Sequence, residues 1–251
     1  MLIITKSWKP TRAARWFRQN FSFAFRYASS SPIALEEITS DRYLGVILDN
    51  KLSFNEHIEH ATKKATNLLN LCRRNLKICN SKAKETAFKA LVRPHLEYAS
   101  AAWSPFTKCS INKIEAVQRR AARFVLNDYT YGPESQLTMK INSNLKWQSL
   151  QHRRASHDLA LFYKIRSGLV KISFPEIVKS SSYRSNSYLH VHASSECFKN
   201  HFYLRSIRLW NMLPENIRQA SSFPVFKSQV DKWMAPLQWS RRNGTWALSL
   251  S

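Results

Sequence analysis

Tyr43-Leu44-Gly45-Val46-Ile47-Leu48-Asp49-Asn50 runs straight into Lys51-Leu52-Ser53-Phe54-Asn55-Glu56-His57-Ile58. The first half is a short apolar burst that ends on a dipeptide suited to a tight turn. The second half carries Ser53 and Glu56 at the spacing of a capping box, so a helix is expected to begin there. From that point Phe54, Ile58, Ala61, Ala65, Leu68 and Cys72 recur at intervals of three and four, which is one face of a helix. Working outward, Leu35 to Leu48 reads as a β-hairpin and Phe54 to Leu76 as the first helix. Ser81 to Trp103 reads as a second, with Ala83, Ala87 and Leu91 in register and Pro94 placed to kink or split it. Ser110 to Leu126 reads as a third, with Ile111, Ile114, Val117, Ala121 and Phe124 as its apolar stripe.

Composition bounds the partners. The chain has 251 residues, with 39 Lys plus Arg against 16 Asp plus Glu, a net +23. The excess is spread: six basic and no acidic residues precede Glu36, sixteen against nine lie between Glu36 and Leu126, and seventeen against seven follow. A basic tail alone does not account for that distribution, and a polyanion such as nucleic acid is the natural partner. A merely soluble basic protein is the bland alternative. Only four glycines occur, so turns lean on Pro, Asn, Asp and Ser, which favours helix over sheet. Cys72, Cys79, Cys109 and Cys197 form no short paired spacing and read as free, mostly buried thiols of an intracellular protein. No apolar run approaches the roughly 20 residues of a membrane span.

Lys63, Lys64, Arg73 and Arg74 mark the polar face of the first helix. Gln118, Arg119, Arg120 and Arg123 crowd the flank of the third, where guanidinium forks suit phosphate oxygens; a solvated face is the competing reading. A fourth helix is expected from Leu145 to Ser167, ended by Gly168, with Trp147, Leu150, Leu161 and Ile165 on its apolar side and Arg153 and Arg154 on the other. Asn127 to Asn144 reads as a loop turning at Tyr131-Gly132-Pro133, and Lys171 to Lys199 as an irregular connector. Phe202 to Trp210 is aromatic and basic. A last helix starts near Pro224, buries Phe226, Val230 and Trp233, and stops at Pro236. His190, His192, Cys197 and His201 have a loosely zinc-like spacing, but a single cysteine is a poor structural set, so no metal and no cofactor is expected.

Several of these motifs carry a family resemblance. Tyr43-Leu44-Gly45-Val46, Lys51-Leu52-Ser53-Phe54 with His57-Ile58, and Leu91-Val92-Arg93-Pro94 with Leu96-Glu97-Tyr98-Ala99-Ser100 stand in order. Val117 to Phe124 and Ser206-Ile207-Arg208-Leu209-Trp210-Asn211-Met212-Leu213-Pro214 follow them. Together they resemble the C-terminal third of jockey-like non-LTR retrotransposon reverse transcriptases, over about Ile33 to Met234.

The resemblance implies a palm-end hairpin remnant at 33–50, a thumb-like helical bundle at 51–127, a C-terminal helical region at 128–235 and a tail at 236–251. It implies a primer-grip role for Tyr43, Leu44 and Gly45, with Gly45 admitting a nucleic-acid backbone. It implies nucleic-acid contacts for Lys63, Lys64, Arg73, Arg74, Arg119, Arg120, Arg123, Arg153 and Arg154. The family's catalytic metals hang on palm carboxylates, including an Asp-Asp pair, and this chain has no Asp-Asp anywhere. The expectation is therefore a mainly α, non-catalytic fragment that binds RNA, DNA or hybrid with low sequence specificity. The rival class is a helical module docking an acidic protein. Residues 1–32 match nothing in the family. Their acid-free, Arg- and Ser-rich composition resembles a mitochondrial transit peptide, but the reading preferred is an unrelated, disordered stretch on a nuclear or cytoplasmic protein.

Overall fold

A computed structural model describes residues 39–129, 141–181, 186–193, 195–235, 237–240 and 245–248. The expectations for residues 1–32 and for Tyr131-Gly132-Pro133 fall outside them. The architecture is mainly helical behind a two-stranded antiparallel hairpin, as the sequence implies. Strands β1 (Ser40–Tyr43) and β2 (Val46–Asp49) pair with Tyr43 opposite Val46. The two residues between them, Leu44 and Gly45, both have positive φ, the condition of a type I′ turn whose twist matches the strands.

Asp49 replaces the expected capping box. Its carboxylate accepts the backbone N–H of Lys51, Ser53 and Phe54 and the Ser53 hydroxyl, at 2.9–3.1 Å. Partial burial pushes its pKa up, but these bonds together outweigh it and hold the carboxyl below its ordinary value. They also hold Leu52 and Phe54 at positive φ, conformations that cost about 1–3 kcal/mol each when unsupported. Helix α1 (Asn55–Asn75) then starts from Phe54 with no side-chain cap; the Ser53 hydroxyl donates to Asp49 and accepts only the Asn55 N–H, at 3.4 Å, while Glu56 stays exposed.

The second helical segment is split as Pro94 requires. After α2 (Ser81–Ala87), capped by Asn80, a π-helical turn runs from Phe88 to Val92 and α3 from Arg93 to Glu97. The Arg93 N–H reaches back five residues to the Phe88 carbonyl, so the wider turn absorbs the missing proline donor. The buried face is Phe88, Val92 and Leu96 rather than the expected Ala83, Ala87 and Leu91; Ala83 and Leu91 are exposed. Ala99 at positive φ separates α4 (Ser100–Trp103). Helix α5 (Lys108–Leu126) is capped by the Thr107 hydroxyl and closed by Asn127 in the left-handed region.

Residues Ile141–Leu145 form a second π-helical turn where a loop was expected. Helix α6 (Leu150–Arg166) is capped by Ser149 and ends in a Schellman motif at Gly168, whose N–H meets the Ile165 carbonyl while the Leu169 N–H meets Lys164. The connector to residue 193 is irregular but packed: Phe174 and Tyr188 lie on Phe162 at 5.3 Å between ring centroids. Then come α7 (Glu196–Lys199), α8 (Phe202–Met212), α9 (Glu215–Arg218) and α10 (Phe223–Met234). The expected tail contains a second hairpin, β3 (Leu237–Ser240) against β4 (Thr245–Leu248). Asn243-Gly244 between two alternating runs is the sequence signal for it.

Two hydrophobic clusters fill the fold. One joins α1, the split second segment, α5 and Trp147; the other joins α6, α8, α10 and Leu237. Leu150 belongs to the first and Ala155 to Tyr163 to the second, so α6 is shared. Among the described residues no helix is long and apolar enough to cross a membrane. Cys72 is buried and Cys197 half-buried, but Cys79 and Cys109 are exposed, against expectation.

His57 fastens the first hairpin. Its Nδ1 accepts the Ile47 N–H at 3.3 Å and its ring meets Trp103 edge-on at 4.9 Å. Burial, then His60 and Arg42, lowers its pKa from 6.5 to about 4; burial, then Arg205, does the same to His201. A histidine held neutral when folded contributes stability above pH 6.5 and loses it as the unfolded chain takes up protons below that value. The unfolding free energy from urea titration should be flat above pH 6.5 and fall between 6.5 and 4, by about 1 kcal/mol per pH unit for each such histidine. Unfolding followed by fluorescence across that window, for the wild type and His57→Asn, checks it: the variant should start lower and slope less.

Candidate nucleic-acid interface

Basic residues that sequence groups together are separated by helix geometry. Helices α1 and α5 pack side by side and leave an open groove lined by Glu59, Thr62, Lys63, Thr66 and Asn67 of α1 and by Lys113, Ala116 and Arg120 of α5. The Lys113 ammonium stands 2.8 Å from the Glu59 carboxylate. Their mutual hydrogen bond lowers the Glu59 pKa and raises that of Lys113. Arg120 reaches across to the Thr66 hydroxyl at 3.1 Å and remains exposed. Lys63 has no acidic partner among the described residues. The groove thus holds three cations against one anion. Arg74 lies eleven residues beyond Lys63, about 16 Å along the axis and nearly on the same line, so the stripe continues past the groove.

The other candidates face elsewhere. Lys64 is exposed outside the groove, and its charge adds to the effect of burial in lowering the His95 pKa. Arg73 places its guanidinium 5.6 Å from the Tyr129 ring centroid. Arg119 and Arg123 are half-buried on the shoulder of α5. Gln118, expected with them on the polar flank, is buried and donates to the Gln148 carbonyl at 2.9 Å. A residue 100° round the helix from Arg119 enters a different environment.

Arg153 and Arg154 leave the candidate surface. Arg153 bonds Glu97 through Nε and, at 3.0 Å, through Nη2. Arg154 is 1% exposed, and its guanidinium nitrogens have no hydrogen-bond partner among the described residues. Burial lowers its pKa, while Glu115, Asp158 and Glu97 oppose the shift. Sequence reasoning put both on the polar side of α6, but that helix is covered on both flanks. It also missed Arg205, which grips Asp158 with two bonds of 2.8 and 3.1 Å and donates to the Asn200 carbonyl. The available signal was Asp158 itself, an acid one residue from the apolar stripe of a helix in a chain short of acids.

Gly45 is not the open approach that was expected. A Cβ there would lie 3.4 Å from the Tyr98 ring, and the Tyr98 hydroxyl donates to the Leu44 carbonyl at 3.0 Å. Tyr43 and Leu44 are exposed at the hairpin tip. In the connector, Cys197 directs its thiol toward the Leu52 carbonyl at 3.5 Å, and burial raises its pKa. No three His, Cys, Asp or Glu side chains converge on a metal position among the described residues.

With that geometry in view, similarity gives a family direction. The chain is 26% identical over 117 residues to the probable RNA-directed DNA polymerase from transposon X-element of Drosophila melanogaster. The match covers 42% of this chain and 13% of that protein. It supports a relation to non-LTR retrotransposon reverse transcriptases. No family model and no solved structure matches the chain.

The Asp158–Arg205 pair fixes which arginines are structural. Arg205→Met should lower stability by about 3–5 kcal/mol, because it strands a buried carboxylate. Arg154→Met should cost less, since its guanidinium makes no hydrogen bond to forfeit. Urea unfolding of the two variants measures the difference.

Proposed function

We propose that this chain is a thumb and C-terminal portion of a non-LTR retrotransposon reverse transcriptase that has no catalytic centre of its own and binds nucleic acid through phosphates, with little preference among RNA, DNA and hybrid. The observation that carries this reading is the similarity to the transposon X-element polymerase. The basic groove between α1 and α5 and the net charge of +23 supply the means of binding. Arg120 and Lys63 are the principal contacts, Arg74 extends the track, and Lys64, Arg73, Arg119 and Arg123 broaden the positive field. Polymerisation requires two divalent ions bridged by carboxylates about 3.5–4 Å apart. Of the two acids in the hairpin, Asp41 and Asp49, the latter spends its oxygens on the chain's own N–H groups. A nuclear or cytoplasmic location goes with this reading.

Binding to duplex and hybrid oligonucleotides should fall steeply between low and physiological salt, with a linear dependence of log affinity on log salt. Lys63→Ala with Arg120→Ala should reduce that slope by up to about two, near one for each phosphate that is no longer neutralised, with only a small change in melting temperature. Fluorescence anisotropy over a salt series, paired with thermal melts, reads both. Binding that ignores salt, or none at low salt, points instead to a helical module that docks an acidic protein.

Primer-extension assays on an RNA template with magnesium or manganese should give no product. Template-dependent synthesis by the purified chain would overturn the non-catalytic part of the reading.

A further inference from the structure

Tyr98 is an aromatic ring pinned in place yet left open to solvent. It closes α3, and Ala99 at positive φ turns the chain away just beyond it. Its carbonyl accepts the indole N–H of the buried Trp103 at 2.7 Å, which anchors the backbone. Its hydroxyl donates to the Leu44 carbonyl, and one ring edge lies against Gly45. Nevertheless the side chain is 59% exposed, beside Tyr43 at 51% and Leu44 at 74%. Ordinarily an exposed tyrosine keeps its rotamer freedom. This one has already given it up, so a ligand that stacks on it sacrifices little further entropy.

The surroundings select the ligand. Helix α1 packs against α3, and the Lys64 charge joins burial in lowering the pKa of His95, three residues before Tyr98. A fixed, exposed π-face on a strongly basic chain fits a nucleobase, and aromatic platforms accept any base because every base has such a face. A paired base inside a duplex does not offer that face.

We propose that Tyr98 is a stacking platform for an unpaired nucleobase at the end or overhang of a strand, steadied by the β1–β2 turn. The proposal rests on the reading that the chain binds nucleic acid, and the test separates the two. Blunt duplex and the same duplex carrying an unpaired overhang with 2-aminopurine at its first base are titrated against the full chain at fixed salt. The wild type should bind the overhang more tightly than the blunt end and change 2-aminopurine fluorescence.

Tyr98→Leu should weaken overhang binding by roughly five- to a hundredfold, abolish the fluorescence change and leave blunt binding within about twofold. Tyr98→Phe removes the hydroxyl bond to Leu44 but keeps the ring, and should retain most of the overhang preference. The platform is overturned if Tyr98→Leu binds the overhang like the wild type, if it weakens both probes equally, or if Tyr98→Phe fails as badly as Tyr98→Leu. Failure of the wild type to bind blunt duplex at low salt would instead strike the phosphate-binding reading.

Discussion

An arginine cluster centred on α6 and completed from α8 sets the terms for the rest of this structure. Arg154 is sealed in the interior, while Arg153 and Arg205 hold the flanking carboxylates of Glu97 and Asp158. Moving a charge out of water costs several kcal/mol even after relaxation, so such a site survives only where opposite charge is brought close. Glu97 comes from α3, Glu115 from α5, Asp158 from α6 itself and Arg205 from α8. The cluster therefore ties the helices of one hydrophobic cluster to those of the other. Because α6 also contributes Leu150 to one cluster and Leu159 and Phe162 to the second, its position is fixed by packing and charge together.

The same cluster shapes the outer field. The chain has 16 acids against 39 basic side chains, and it draws Glu97 and Asp158 inward to serve its own arginines. Glu59 is among the acids that remain outside, and it is neutralised locally by Lys113. The arginines that hold these acids leave the surface with them, so what solvent meets keeps the positive excess of the sequence as a whole. A field of that kind speeds encounter with a polyanion and falls with ionic strength. It also repels other copies of the chain.

Much of the architecture was legible because it follows from short-range rules. The 3.6-residue period gave α1 and α5 nearly to their ends, Pro94 marked where the second helical segment divides, and Gly168 marked the end of α6. Some misreadings were local, and others came where a side chain took a partner far away in sequence. Asp49 displaced Ser53 as the organiser of the first helix start because its carboxylate could satisfy four donors at once. Arg153 and Arg154 looked like a solvated pair until Glu97, fifty-six residues from Arg153, was brought to them. Phe88 and Val92 stand in the core instead of Ala87 and Leu91 because the buried stripe, Lys84, Phe88, Val92 and Leu96, runs one residue later, a phase already set before the π-helical turn begins. The site fared similarly: Lys63 and Arg120 were among the residues singled out, but that they share one groove is a fact of packing between α1 and α5.

The first hairpin shows how the two levels meet. A two-stranded ribbon is marginal by itself, and β1–β2 gains no third strand among the described residues. It is held instead by three unlike contacts: the His57 ring accepting from Ile47, Val46 buried in the first cluster, and the Tyr98 hydroxyl on the Leu44 carbonyl. Each is made to the helical part of the fold, so the hairpin's position reports on the packing of α1 and α3. The left-handed residues at its tip and in the loop after Asp49 are therefore offset by helix-borne and carboxylate hydrogen bonds rather than by sheet pairing. A hairpin fixed in this way needs no sheet beneath it, because His57 engages β2 at Ile47 and Tyr98 engages the tip at Leu44.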